Sequence, residues 1–174
     1  MAAAGRRGHV VARPQAEGPQ RGRQRGFEVV ADEHRQHPNT RIQLPSRGSR
    51  HSAGYDLHAP ADFTLAPAAR TVVITDLKAY MLADEVLAVY LRSSVGLRGV
   101  MLANTVGVVD ADYYANPDND GNIRLALLNT GPQDFTARAG DRIAQAVFMK
   151  YLLADGDTHA AGPERQGGSG HTGR

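Results

Sequence analysis

From Phe27 to Tyr151 the apolar residues come in short alternating or solid runs, punctuated every 8 to 12 residues by Gly, Pro or Asx clusters. That spacing predicts strands rather than helices. Twelve are expected: Phe27–Val30, Arg41–Leu44, Gly54–His58, Asp62–Leu65, Arg70–Asp76, Ala79–Leu82, Val86–Arg92, Val100–Leu102, Thr105–Val109, Ile123–Asn129, Phe135–Ala137 and Ile143–Tyr151. The breaks Pro45-Ser46-Arg47-Gly48, Ala66-Pro67, Gly131-Pro132 and Ala139-Gly140-Asp141 have turn chemistry. The pattern predicts an all-β protein, a distorted jelly roll or β-sandwich.

Composition divides the chain into three parts. Six arginines against one glutamate give residues 1–26 a charge of +5, and since the whole chain is +2, the remainder carries −3. An Arg/Gly/Pro/Gln segment buries too little apolar surface to offset its ordering entropy, so residues 1–26 are expected to be a disordered basic extension. Such a tail can touch a polyanion, serve as a targeting segment or be neutral; no other nucleic-acid contact and no membrane partner are expected. Residues 27–153 form the expected β domain. Residues 154–174 return to a Gly-rich polar composition and read as a flexible arm. No apolar run reaches the roughly 18 to 20 residues of a membrane span. With no cysteine at all, disulfides, zinc–thiolate sites and thiol nucleophiles are excluded, and a cytoplasmic location is expected.

Several segments carry candidate chemistry. Asn116-Pro-Asp118-Asn-Asp120-Gly121 imitates the start of a calcium loop, but Leu127 stands where the bidentate Glu belongs and the flanks read as strands, so a hairpin tip is expected. Gly168-Ser-Gly170-His-Thr-Gly173 spells GxGxxG without the strand and helix that a dinucleotide fold needs; it reads either as a frayed tail or as a mobile arm that wraps phosphates, with Arg165 supplying a guanidinium fork. Strand alternation sends Asp110 and Asp112 to one face and Val109 and Ala111 to the other. Arg92-Ser93-Ser94-Val95-Gly96 ends an apolar run with one guanidinium and two hydroxyls, an anion-holding turn. Asp141 and Arg142, opening the last strand, read as a structural charge pair.

Together these segments resemble the five ordered motifs of the trimeric dUTPase family: AGYDL (Ala53–Leu57), RSSVG (Arg92–Gly96), NTVGVVDADYY (Asn104–Tyr114), GDRIAQ (Gly140–Gln145) and RQGGSGHTG (Arg165–Gly173). The resemblance covers Phe27 to Arg174 and implies hydrolysis of dUTP to dUMP and pyrophosphate in a homotrimer of dUTPase-like β-clip subunits. It implies Asp110 as the carboxylate that activates water, with Asp112 supporting geometry. Arg92, Ser93 and Ser94 correspond to the phosphate-holding turn, and Gln145 to a phosphate contact from another subunit. Asn104 corresponds to the amide that pairs with uracil, suited to it by carrying both donor and acceptor. Backbone groups at Val108, Val109 and Asp110, with Ile123 and Arg124 on a facing strand, would complete the base edge. Tyr113 corresponds to the ring under the deoxyribose that excludes a 2′-hydroxyl. Arg165, Gly167 and Gly168 would wrap the phosphates, and Asp56 would reach Mg²⁺ through water.

One position departs from the family pattern. Ser169 stands where the family usually has an aromatic ring that stacks over uracil, and base stacking is worth about 1–3 kcal/mol. Weaker arm closure is expected, with activity retained. Two other readings use the same fold: a dCTP deaminase, which needs a base-site glutamate and lacks the arm, and a regulatory module that binds protein partners.

Overall fold

A computed structural model describes residues 22–157 and Gly167. The regular structure of the described chain is nearly all strand. In order come β1 (Gly26–Val29), β2 (Ser46–Arg47), β3 (Tyr55–His58), β4 (Phe63–Leu65), β5 (Arg70–Ile74), β6 (Leu77–Tyr80), β7 (Glu85–Leu91), β8 (Val100–Leu102), β9 (Gly107–Asp110), β10 (Arg124–Asn129), β11 (Phe135–Ala137) and β12 (Arg142–Lys150). Helix is confined to one four-residue turn, α1 (Ser93–Gly96), and two 3₁₀ turns, Asp32–His34 and Ala111–Tyr113. The largest sheet has the order β2-β3-β12-β7-β9, with smaller sheets β5-β10-β8, β1-β6 and β11-β4 around it. Every pairing among them is antiparallel. This is the expected all-β jelly-roll architecture.

Alternation explains how the core is filled. Along β10, Leu125, Leu127 and Asn129 point inward while Arg124, Ala126 and Leu128 do not. Leu57, Leu87, Leu127 and Ala144, all fully buried, come from four different strands and meet in one cluster. Asn129, also fully buried, is satisfied: its amide donates to Leu65 O and Gln133 O at 2.8 Å each and accepts from Gly131 N–H at 2.9 Å. It thereby ties β10 to the β4–β11 pair, as a buried polar group must be tied.

Three sequence expectations change. Arg41–Leu44 is not a strand; Leu44 is 49% exposed, and pairing starts only after Pro45, whose ring removes an N–H donor, at Ser46. The expected strand Ala79–Leu82 instead runs Leu77–Tyr80, because its ladder with β1 begins at Leu77 opposite Val29. The Asx-rich stretch is no hairpin tip, since β9 pairs with β7 and β10 pairs with β5 and β8, in another sheet.

The start of the described chain is anchored rather than loose. Arg25 grips the buried Glu85 with Nη2 at 2.6 Å and Nε at 3.1 Å. The Arg23 guanidinium lies 4.3 Å from the Tyr80 ring centre and pairs with Glu28 at 2.8 Å. Both arginines belong to the segment whose composition predicts disorder.

Candidate functional site

β12 carries a bulge at its start: its partner register shifts between Arg142, opposite His58, and Ala144, opposite Leu57. Ile143 and Ala144 are both buried, at 1% and 0% exposure. Strict alternation from Gln145 would send Arg142 to the inner face; the extra residue returns it to the outer one. There Arg142 Nη1 lies 3.3 Å from Asp56 Oδ2, while Arg92 Nη1 grips Asp56 Oδ1 in a tighter contact. Asp56 stands opposite Gln145 in the ladder, and Gln145 opposite Tyr90, so one row crosses the outer face.

This row opens into a cleft of about 510 Å³ lined by Asp56, Arg92, Ser93, Ser94, Arg142 and Gln145 among others. That is room enough for a drug-sized polar ligand. Ser93 and Ser94 are exposed on α1, which is set just past the end of β7 by the Arg92 N–H bond to Ile143 O at 3.2 Å. Gly54 makes space for Gln145: a Cβ there would sit 2.5 Å from Gln145 Oε1. Burial holds the His58 imidazole below its usual range, and the Arg142 and Arg92 charges add to this against Asp56. The positive charge of the cleft comes from the Arg92 and Arg142 guanidinium groups that line it. Arg142 is the member that sequence reading missed. It was assigned to a pair with Asp141, but Asp141 instead accepts from Arg138 N–H at 2.8 Å.

The second group of expected residues lies elsewhere on the same sheet. β9 is its edge strand, so alternate backbone groups turn away from β7. Val108, opposite Ala88, is 66% exposed on the outer face, and Asp110, opposite Val86, shares that face. Val109, opposite Leu87, is 9% exposed and points into the core, leaving only its backbone for a ligand. Asn104 is exposed in the turn before β9, whose next residue, Thr105, has φ 62°.

Asp110 and Asp112 do not alternate along one strand, because β9 stops at Asp110 and the chain turns into the 3₁₀ turn Ala111–Tyr113. That turn brings Tyr113 back against the core. Ile123 was expected to offer backbone groups to a base, but its C=O accepts from Thr75 N–H and its N–H donates to Leu77 O. Arg124 is one residue on, and alternation turns its backbone groups to the other side, the side on which Ala126 O accepts from Ala103 N–H at 2.8 Å. Arg124 thus faces the gap that opens beyond that bond, toward Asn104.

The two groups are far apart within one chain. Asp110 aligns with Val86, and Arg92 follows six residues later along β7, which at about 3.3 Å per residue puts roughly 20 Å between them. Of the arm, Arg165 and Gly168 lie outside the described residues, as does Ser169; Gly167 is described and buried.

Among the described residues no group of three or more His, Asp or Glu side chains could hold a metal ion. Both oxygens of Asp56, the expected contact to Mg²⁺, are engaged by guanidinium groups.

The chain matches the dUTPase family model over residues 40–173. The deoxyuridine 5′-triphosphate nucleotidohydrolase of Lactococcus lactis is 45% identical over 150 residues, covering 86% of this chain and 97% of that protein. Among solved structures, the dUTPase of Streptococcus mutans superposes with a TM-score of 0.65 at 41% identity, over 75% of this chain and 99% of that one. The dUTPase of Staphylococcus aureus phage phi11 shares the fold, with a TM-score of 0.62 at 17% identity over 78% of this chain and 96% of that one. With a family model spanning most of its length and relatives matched nearly end to end, the chain belongs to the dUTPase family.

Proposed function

We propose that the chain hydrolyses dUTP to dUMP and pyrophosphate, with each site built from two halves supplied by different copies of the chain. The observation that carries this reading is the cleft in which Arg92, Arg142, Ser93, Ser94 and Gln145 converge, with Asp110 on the same face of the same sheet but roughly 20 Å from Arg92. One chain cannot bring both halves to one nucleotide. Between them the outer face carries Val86, Val108, Val147 and Met149, with Val108 and Met149 66% and 45% exposed. An apolar strip of this kind suits burial against further copies, and a homotrimer is the assembly we assign.

In the nucleoside half, the Asn104 carboxamide and the outward backbone groups of β9 and Arg124 bond the edge of uracil. Tyr113 lies under the deoxyribose. Asp110 accepts a proton from a water molecule as its oxygen bonds to the α-phosphorus; the bond from that phosphorus to the bridging oxygen breaks, and pyrophosphate leaves. In the phosphate half, Arg92, Arg142 and the serines neutralise the charge that gathers on the leaving group, and Gln145 orients it. Asp56 holds the two guanidinium groups in place until phosphate oxygens replace it. Arg165, Gly167 and Gly168 close the arm over the phosphates. Magnesium enters as part of the substrate, the Mg²⁺ complex of dUTP, in which phosphate oxygens and water supply most of the coordination.

The test is pyrophosphate release measured across dUTP, dTTP, dCTP and UTP, with and without Mg²⁺. A preference for dUTP is expected; ammonia release from dCTP would favour the deaminase reading instead.

A further inference from the structure

The loop Asn116–Asn122, which follows Tyr113, is built from buried amides. Asn116, Asn119 and Asn122 are 4%, 5% and 2% exposed, although all three are polar. Buried amides are retained where their bonds are made, and here they are. Asn116 Oδ1 accepts from the N–H groups of Asp118 and Asn119, and its Nδ2 donates to Tyr113 O and to Asn119 Oδ1, both at 2.8 Å. Asn119 Oδ1 also accepts from Gly121 N–H at 3.0 Å. One donor group of Asn119 remains, Nδ2, and it donates to the Tyr113 hydroxyl at 2.7 Å. The same hydroxyl donates to Asn122 O at 3.0 Å. Tyr113 is held at its tip from both sides, so its ring is fixed in plane and depth.

The loop itself is pinned to a distant part of the chain. The Asn122 carboxamide pairs with Asp76, accepting from its N–H at 3.0 Å and donating to Oδ1 at 3.1 Å, and Nδ2 also donates to His34 O at 3.1 Å. Asp76, fully buried, accepts in turn from the N–H groups of Gln36 and His37 at 2.8 and 2.7 Å. Asp120 accepts from Ala31 N–H and from Lys78 Nζ, each at 2.7 Å. Gly121 has φ +81°, and a Cβ on it would lie 2.7 Å from Tyr113 O, so the loop closes tightly under the tyrosine.

We infer that Asn119 is a positioning residue for Tyr113, and that the Asx loop sets how strictly the site rejects a ribonucleotide. The inference rests on the reading that the Tyr113 ring packs against the sugar. A wall excludes a single added hydroxyl only if it cannot retreat, and a tyrosine ring with an untethered tip can swing by more than the size of that hydroxyl. Tethered through Asn119 and Asn122, the ring cannot yield.

The experiment compares kcat/KM for dUTP and UTP, together with thermal midpoints, in Tyr113→Ala, Tyr113→Phe, Asn119→Asp and the Tyr113→Phe/Asn119→Asp double variant. Tyr113→Phe keeps the ring and removes both tethers. Asn119→Asp keeps an Oδ1 acceptor for Asn116 and Gly121 and replaces the donor that faces Tyr113 with an acceptor, which competes with Asn122 O for the one hydroxyl proton, so the ring can no longer be held from both sides. Asn119→Asp is expected to lower the dUTP-to-UTP preference about tenfold, the scale of one buried hydrogen bond, Tyr113→Phe at least as much, and the double variant no further than Tyr113→Phe alone. If Tyr113→Ala relaxes the preference while Tyr113→Phe and Asn119→Asp retain it, the positioning role is wrong. A fall in midpoint alone, with the preference unchanged, means that the loop is only structural. If Tyr113→Ala leaves the preference intact, the sugar contact itself is wrong.

Discussion

In the proposed mechanism Asp110 is the residue on which turnover depends, and it ends the edge strand β9 on the outer face of the sheet. Asp110→Asn keeps the shape and removes the base. Hydrolysis of dUTP is expected to fall by about 100-fold or more with the thermal midpoint unchanged, measured by pyrophosphate release and a melt. Ser169 offers a gain instead. Ser169→Phe restores a stacking ring worth about 1–3 kcal/mol, so a lower KM or a higher kcat for dUTP is expected; no improvement in either removes the argument. At Glu85 the prediction concerns stability. The Arg25 guanidinium, by its hydrogen bonds, holds that carboxyl below the usual carboxylate range. A depressed carboxylate stabilises above its unfolded pKa of about 4.3 and loses that contribution as pH falls through the lower folded value. Arg25→Ala is therefore expected to lower stability at pH 7 in urea unfolding, with the gap from the parent chain narrowing in acid.

Among the elements, the opening of β12 best shows how backbone geometry makes a site. The bulge at Ile143 sets the direction of four successive positions: Arg142 faces outward, Ile143 and Ala144 fill the core, and Gln145 returns to the outer face. Opposite, β3 has Gly54 just before it, where only a hydrogen leaves room for the Gln145 carboxamide. Gly54→Ala meets the movable end of a side chain rather than backbone. Its cost in stability is expected to be small, but Gln145 must turn away, and KM for dUTP should rise about tenfold with kcat less affected. Steady-state kinetics beside a thermal melt separate the two effects. The edge position of β9 has the complementary consequence, because a strand paired on one side keeps backbone groups available for a base.

For the whole molecule, the proposed division into two half-sites makes activity a property of the assembly. Asp110→Asn and Arg92→Ala each disable one half. Mixed and reassembled in equal amounts, they are expected to recover about a quarter of the parent activity, since a site is intact when its nucleoside half comes from an Arg92→Ala chain and its phosphate half from an Asp110→Asn chain. A site contained within one chain recovers nothing, and pyrophosphate release from the mixture distinguishes the two.

Much of this was legible in the sequence, because period-two alternation and turn chemistry are local properties. Val100–Leu102 and Phe135–Ala137 have their observed boundaries already in the residue pattern. Arg92, Ser93, Ser94, Asp110 and Tyr113 stand out by motif. The errors share one cause, which is that pairing partners are not local. Arg41–Leu44 is strand-like by composition but has no strand beside it; the Asn116–Gly121 stretch has hairpin chemistry, yet its flanking strands join different sheets. A one-residue bulge, invisible in sequence, decided that Arg142 meets Asp56 rather than Asp141. The sequence by itself determined which residues have the chemistry for a nucleotide site, since side-chain type is written directly in it. Only the tertiary structure decided that Arg92 and Arg142 meet at Asp56, away from Asp110 along the same sheet face, and that buried amides hold Tyr113, because registers, bulges and sheet edges arise where distant segments meet.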